Sequence, residues 1–182
     1  MMSPIKYSSQ IVGKEDFILK NSFKNMHQTS NLIKLSINLS TFDLLEDKEE
    51  IVSILVALQA ISGQKAVMTS TKKGNPGLKI KKGMVLGAKT TLRKTRAFQF
   101  LDILNSIVLP RSQNLKIFPS TKTNHFSFQI RKPLHFLELE RKFSFFKDLS
   151  TLGITLNVKS ASPEESTLYL SQLFFPFYTG NN

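Results

Sequence analysis

Cysteine and tryptophan are absent from this chain of 182 residues. Without cysteine there is no disulfide framework, no thiol nucleophile and no thiolate-bound metal. No run of about eighteen apolar residues occurs, so no segment reads as a membrane-spanning helix. Residues 1–17 have no apolar signal core and reach an acid at Glu15, which argues against a secretory leader. The three histidines, His27, His125 and His135, lack metal-ligand spacing. A G-x-S-x-G elbow is missing, and so is a phosphate-cradling P-loop. Glu138 and Glu140 would share a face on a strand, but nothing around them suggests a pocket. The chain reads as a non-enzyme with no cofactor and no metal.

Acids are also scarce where it matters most. Residues 51–137 hold fifteen Lys and Arg against a single acid, Asp102. The acids gather instead at 43–50, 138–140 and 164–165. With a net charge of +12, this segregation predicts a polyanionic partner, either nucleic acid or an anionic membrane surface. Residues 62–96 concentrate the charge in Lys65, Lys72, Lys73, Lys79, Lys81, Lys82, Lys89, Arg93, Lys94 and Arg96, with no acid among them. The lysine-rich segment lacks the aromatic or amphipathic insertion that membrane-surface binders use, which favours nucleic acid. A hydrophobic content of 41% with 15 Phe suffices for a packed core. The expected organisation is an arm at 1–30, anchored by Phe17, Ile18, Phe23 and Met26, and one domain at 31–182.

Residues 31–39 alternate, with Ile33, Leu35, Ile37 and Leu39 on one side and Lys34, Ser36 and Asn38 on the other, which predicts a half-buried strand. Its basic, amide-bearing face suits RNA; an ordinary solvated face has the same pattern. Residues 43–62 predict a helix: Asp43 and Glu46 form a capping pair, and Ile51, Ile54, Leu55, Leu58 and Ile61 form an apolar stripe. Gly63 is placed to end it in a left-handed conformation. Strands are predicted at 65–71, 84–93, 126–131 and 154–158, and a second helix at 95–109, ended by Pro110. In that helix Phe98, Leu101, Leu104, Ile107 and Val108 face inward. Residues 133–148 predict buried irregular or short helical structure built on Phe136, Leu137, Leu139, Phe143, Phe145 and Phe146. Ser162, Pro163, Glu164 and Glu165 mark the start of a last helix that reaches about Phe174. The order predicts an α+β fold, an antiparallel sheet with helices packed on one face and the other face open for RNA.

The connection at 72–83 is too long for a tight hairpin, and long structured loops are more often functional. Gly74, Pro76, Gly77 and Gly83 bend it, and Lys72, Lys73, Lys79, Lys81 and Lys82 decorate it. A lysine-rich loop kept soluble by charge has the same composition. The run Gly74-Asn75-Pro76-Gly77 matches the GxxG of KH domains, but that motif joins two helices and this one lies between strands.

The blocks Ala60-Ile61-Ser62-Gly63-Gln64-Lys65, Lys79-Ile80-Lys81-Lys82-Gly83-Met84 and Gly87-Ala88-Lys89-Thr90-Thr91-Leu92-Arg93 resemble the universal large-subunit ribosomal protein family that binds 5S rRNA. The resemblance continues through Phe98-Gln99-Phe100-Leu101-Asp102, Leu109-Pro110-Arg111, Gly153-Ile154-Thr155-Leu156-Asn157-Val158 and Phe174-Phe175-Pro176-Phe177, covering nearly the whole chain in order. It implies a structural role in the central protuberance, beside large-subunit rRNA and neighbouring proteins, with 5S rRNA docked on the open sheet face. By position Asn38, Gln64, Lys65, Thr91 and Arg93 match residues near that RNA, and the polar faces add Lys34 and Lys89. The amides suit ribose hydroxyls and base edges, and the cations suit phosphates. The loop of Lys72, Lys73, Gly74, Asn75, Pro76, Gly77, Lys79, Lys81 and Lys82 matches the family's projection toward P-site tRNA. The family also bridges to a small-subunit head protein.

This chain departs from the pattern in three places. Lys73, Gly74, Asn75 and Pro76 replace an Arg and an apolar pair in the loop. Lys94 replaces the glycine after Thr91-Leu92-Arg93. Residues 115–124 are shortened, which puts the bridge in doubt. The divergence and AT-biased composition suggest a mitochondrial version, with plastid or bacterial ones as alternatives. The function from a different class is an RNA-binding or RNA-chaperone module outside the ribosome.

Overall fold

Strands that alternate apolar and polar residues need a partner layer for one face only, and Asn31–Ser40, His125–Ile130 and Leu152–Lys159 are of that kind. The structure, a computed structural model, describes residues 4–7, 13–20, 28–41, 48–78, 80–112, 124–147 and 149–175. Strands β1 (Asn31–Ser40), β2 (Val67–Ser70), β3 (Val85–Leu92), β4 (His125–Ile130) and β5 (Leu152–Lys159) form one antiparallel sheet in the order β2-β3-β1-β5-β4. Helices α1 (Pro4–Tyr7), α2 (Gly13–Lys20), α3 (Lys48–Ser62), α4 (Lys94–Ile103), α5 (Leu109–Arg111), α6 (Leu137–Glu140), α7 (Phe143–Phe146) and α8 (Pro163–Gln172) complete an α+β fold, as expected. The chain divides into two compact units: Met1–Leu35, Arg93–Phe128 and Thr155–Asn182 form the first, and Ser36–Leu92 and Gln129–Ile154 the second.

In the second unit, α3 buries Ile54, Ala57, Leu58 and Ile61, one stripe at helical spacing, and packs against β3. β3 turns Ala88, Thr90 and Leu92 inward and leaves Lys89 exposed. Gly63 ends α3 with φ 61°, its N–H donating to the Gln59 carbonyl at 2.9 Å, the expected left-handed stop. Gly87 is where β3 meets β1: a Cβ there would be driven into the Leu39 carbonyl oxygen and lie 2.8 Å from the Ser40 Cα. Beside it, Thr41 ties the end of β1 to β3 through its N–H on the Leu86 carbonyl at 2.8 Å. The segment at 133–148 is short helical structure, as predicted, but its burial is partial. Phe136, Leu139 and Phe146 are buried, whereas Leu137, Phe143 and Phe145 are exposed. The helical turns are too short to hide both faces.

In the first unit, Ile5 of α1 is buried and its N–H donates to Asp102 Oδ1 at 3.1 Å. The lone acid of the basic region thus holds the N-terminal turn against α4. Pro110 does not end the second helix: α4 widens into a π-helical turn at Leu104–Val108 and continues through α5. Pro110 is the penultimate residue of α5, so the bond its missing N–H leaves unmade falls in the last turn of the helix. α8 begins as predicted, Ser162 Oγ accepting from the Glu165 N–H at 3.2 Å. The Tyr169 hydroxyl accepts from the Leu32 N–H at 3.2 Å, and Phe128 meets Phe175 edge to face at 6.0 Å. Ile33, expected among the buried residues of β1, is 52% exposed; the strand's apolar face is covered only from Leu35 onward. The expected capping pair Asp43 and Glu46, the anchors Phe23 and Met26, and residues 113–123 lie outside the described residues.

Gly87→Ala is expected to lower stability by about 3 kcal/mol, because the methyl group meets backbone rather than a side chain that can turn away. Chemical denaturation measures this, and an unchanged midpoint contradicts the close approach.

Candidate nucleic-acid interface

None of the five strands contains an aspartate or glutamate. Because side chains alternate along a strand, the residues left over from the core form a polar surface with positive charge and no negative charge.

In the second unit this surface carries Ser36, Asn38 and Ser40 of β1, Lys89 and Thr91 of β3, and Gln129 of β4, with Asn38, Ser40, Lys89 and Gln129 exposed. Asn38 lies across Gly153 of β5: a Cβ on Gly153 would stand 2.5 Å from Asn38 Oδ1. The missing side chain on β5 therefore makes the space that the Asn38 amide occupies. Gln64 is half-buried, and its Nε2 donates to the Thr91 carbonyl at 3.3 Å. That bond joins the turn after α3 to the end of β3 and leaves the side-chain Oε1 of Gln64 for a ligand. Ser62 supports the same turn, its Oγ accepting from the Gln64 N–H at 3.2 Å. Lys65 follows, exposed, and Lys89 pairs across to Val67 of β2.

The loop between β2 and β3 is a structured extension of their hairpin. The Thr71 N–H donates to the Met84 carbonyl at 2.9 Å, Thr71 Oγ1 to the Lys81 carbonyl at 2.6 Å, and the Gly83 N–H to the Thr71 carbonyl at 3.0 Å. Further out, Asn75 and Ile80 exchange backbone bonds of 2.9 and 3.1 Å. Asn75 Oδ1 accepts from the Gly77 N–H at 3.1 Å as the chain turns through Pro76–Leu78. Lys72, Lys73, Gly74, Asn75, Pro76 and Gly77 are exposed on one side, and Lys81 and Lys82 on the other. Lys79 lies outside the described residues.

In the first unit Lys34 is half-buried on β1, and Arg93 is exposed at the junction of β3 and α4. Lys94, next to it, has φ 53°, the left-handed region that favours glycine. The sequence reading missed Ser127 of β4 and Thr155 of β5, whose hydroxyls lie 3.1 Å apart. Strand alternation was the signal for them. Among the described residues no group of three or more His, Asp or Glu is placed to hold a metal ion, and no helix is long and apolar enough to cross a membrane.

A carboxylate-free sheet face beside a lysine-bearing hairpin fits an α+β protein that meets a polyanion. Residues 85–177 match the model of the C-terminus of the ribosomal L5 family. The large ribosomal subunit protein uL5 of Wolbachia pipientis (strain wPip) is 32% identical over 162 residues, 87% of this chain and 90% of that protein. Mitochondrial uL5m of Reclinomonas americana is 29% identical over 178 residues, 96% and 98% of the two chains. Methylococcus capsulatus uL5 is 28% identical, over 95% and 96%. The chain belongs to the ribosomal L5 (uL5) family. It is a structural, non-enzymatic constituent of the large ribosomal subunit, with rRNA and the ribosome as its partners.

Gly153→Ala is expected to change stability by less than about 1 kcal/mol, since the clash falls on a side-chain end that can rotate. The variant's rRNA affinity is expected to fall with the displacement of Asn38. Equilibrium unfolding and RNA titration of the same preparation check both halves.

Proposed function

We propose that the polar sheet face docks 5S rRNA and that the β2–β3 hairpin contacts P-site tRNA, in a mitochondrial ribosome. The observation that carries the first half is the absence of any carboxylate from the strands, combined with amides and hydroxyls at ribose and base-edge reach. Asn38, Gln64 and Thr91 supply neutral hydrogen bonds; Lys34, Lys65, Lys89 and Arg93 neutralise phosphates. Gln64 is held by its bond to Thr91, so that polar group is pre-positioned, and the absent side chain at Gly153 leaves room for the Asn38 amide. Pre-positioned donors lose less freedom on binding.

The hairpin supports the second half. Its exposed Lys72, Lys73, Lys81 and Lys82 flank a tip without acids, and its backbone is tied at base and tip. Lysines that read only phosphate suit a surface that meets tRNAs of every sequence. The mitochondrial assignment rests on the AT-biased composition and on likeness to the Reclinomonas protein over almost the whole length of both chains.

Arg93→Ala and Lys89→Ala are each expected to weaken binding to 5S rRNA by about 1–3 kcal/mol. Unchanged affinities in filter binding refute the sheet assignment. Replacing Lys72, Lys73, Lys81 and Lys82 by Ala is expected to leave 5S rRNA affinity intact and to weaken tRNA retention at the P site of reassembled ribosomes. Collapse of 5S rRNA binding in that variant refutes the division into two surfaces. Sedimentation of the protein with large subunits at physiological salt, from isolated mitochondria, tests the setting; recovery only in light fractions favours a free RNA chaperone.

A further inference from the structure

Residues 160–182 hold no Lys or Arg, although the chain has 25, and they include Glu164 and Glu165. This end of the sequence is therefore opposite in sign to the strands. α8 lies within it and has two distinct sides. Ser166, Tyr169, Leu170 and Leu173 are buried, whereas Glu164, Leu168 and Ser171 share the exposed side. The helix stops in a hydrogen-bonded cap. The Phe174 N–H donates to the Ser171 carbonyl at 3.0 Å, and the Phe175 N–H to the Leu170 carbonyl at 3.3 Å. Phe175 then turns inward onto Phe128. Phe174, between helix and core, has φ 59° and is 69% exposed. That place in the cap suits glycine, because a side chain strains the left-handed backbone. Phe174 is thus unfavourable in the isolated protein twice over, through its backbone and through its wetted ring. Leu168, 41% exposed, adds apolar surface on the same helix.

Charge decides what fits this surface. A base stacked on Phe174 would bring phosphates to a helix end whose carbonyls are partly negative, on a segment that carries no cation of its own. A guanidinium at the same place is favoured by the helix dipole and by the ring face. We propose that the exposed side of α8, with Phe174, is a docking surface for a basic, arginine-bearing segment of another protein of the large subunit. One cation stacks on the Phe174 ring, an apolar side chain covers Leu168, and a second cation meets Glu164. The surface shares no residue with the proposed RNA contacts, so the inference stands whether or not the sheet docks 5S rRNA.

Full-length protein with photoreactive p-benzoylphenylalanine in place of Phe174 is assembled into large subunits and irradiated, with and without Glu164→Gln. The products are sized before and after ribonuclease, and the joined peptides are sequenced by mass spectrometry. The expected adduct survives ribonuclease, maps to one Arg-bearing segment of one other protein, and falls severalfold in yield in Glu164→Gln. An adduct that ribonuclease removes puts RNA on the ring and overturns the proposal. A protein adduct whose yield Glu164→Gln leaves unchanged overturns it too, as does irradiation that joins nothing to residue 174. Phe174→Gly removes the ring and suits the left-handed turn. It is expected to melt no lower than the parent, to keep the parental 5S rRNA affinity, and to leave the large subunit at lower salt. Retention equal to the parent's, or a loss of 5S rRNA affinity, overturns the proposal.

Discussion

β3 lies against the end of β1 only because residue 87 has no side chain. Any larger residue would press on the Leu39 carbonyl and the Ser40 Cα. That close approach is what lets β3 run beside β1 at this point. With the register set, the period of two does the rest: Ala88, Thr90 and Leu92 turn under α3, and Lys89 and Thr91 turn outward. A slip of one residue would bury Lys89 and expose the core face. The outward placement of Lys89 and Thr91 therefore depends on a strand pairing that a side chain at residue 87 would disturb.

Charge is sorted by element type. The strands hold no acid, while α6 carries Glu138 and Glu140 and α8 carries Glu164 and Glu165. In α8 the acids sit in the first turn, where the helix dipole favours them. Asp102 is consumed by a backbone N–H of α1. Helices thus absorb the negative charge in local structural roles, and the sheet keeps a uniform sign. Such a surface attracts any polyanion; under the proposed docking, discrimination falls to neutral groups such as Asn38 and Thr91, which need an exact distance rather than a sign.

Much of this was legible in the sequence. The alternation of β4 and β5, the Gly63 stop and the Ser162 cap are local patterns present as read, and so, apart from Ile33 in β1 and the half-buried Ile51 and Leu55 in α3, are the faces of β1 and α3. What was not legible depends on residues far apart. Asn38 and Gly153 are 115 positions apart, and only the pairing of β1 with β5 brings them together. Gln64 reads as a free amide until the turn after α3 meets the end of β3 and its Nε2 finds the Thr91 carbonyl. Phe143 and Phe145 look like core by composition, yet two four-residue helices hide only one side of their chain. The π-helical turn before Pro110 escaped because proline marks a break in a helix without saying how the turn before it is wound.

The hairpin beyond β2 and β3 behaves as a cantilever. Thr71 clamps its root through bonds to Lys81, Gly83 and Met84, and the Asn75–Ile80 bridge stiffens the span. Just inside the clamp, the ladder shifts by one residue between Thr69 and Ser70. Such a shift bends and twists a ribbon. The heading of the whole beam is thus decided at its mount, and a change of a degree at Thr69 sweeps Asn75 and Pro76 at the far end through the largest arc. Length and stiffness make the loop's tip a sensitive pointer to the geometry of a strand it never touches.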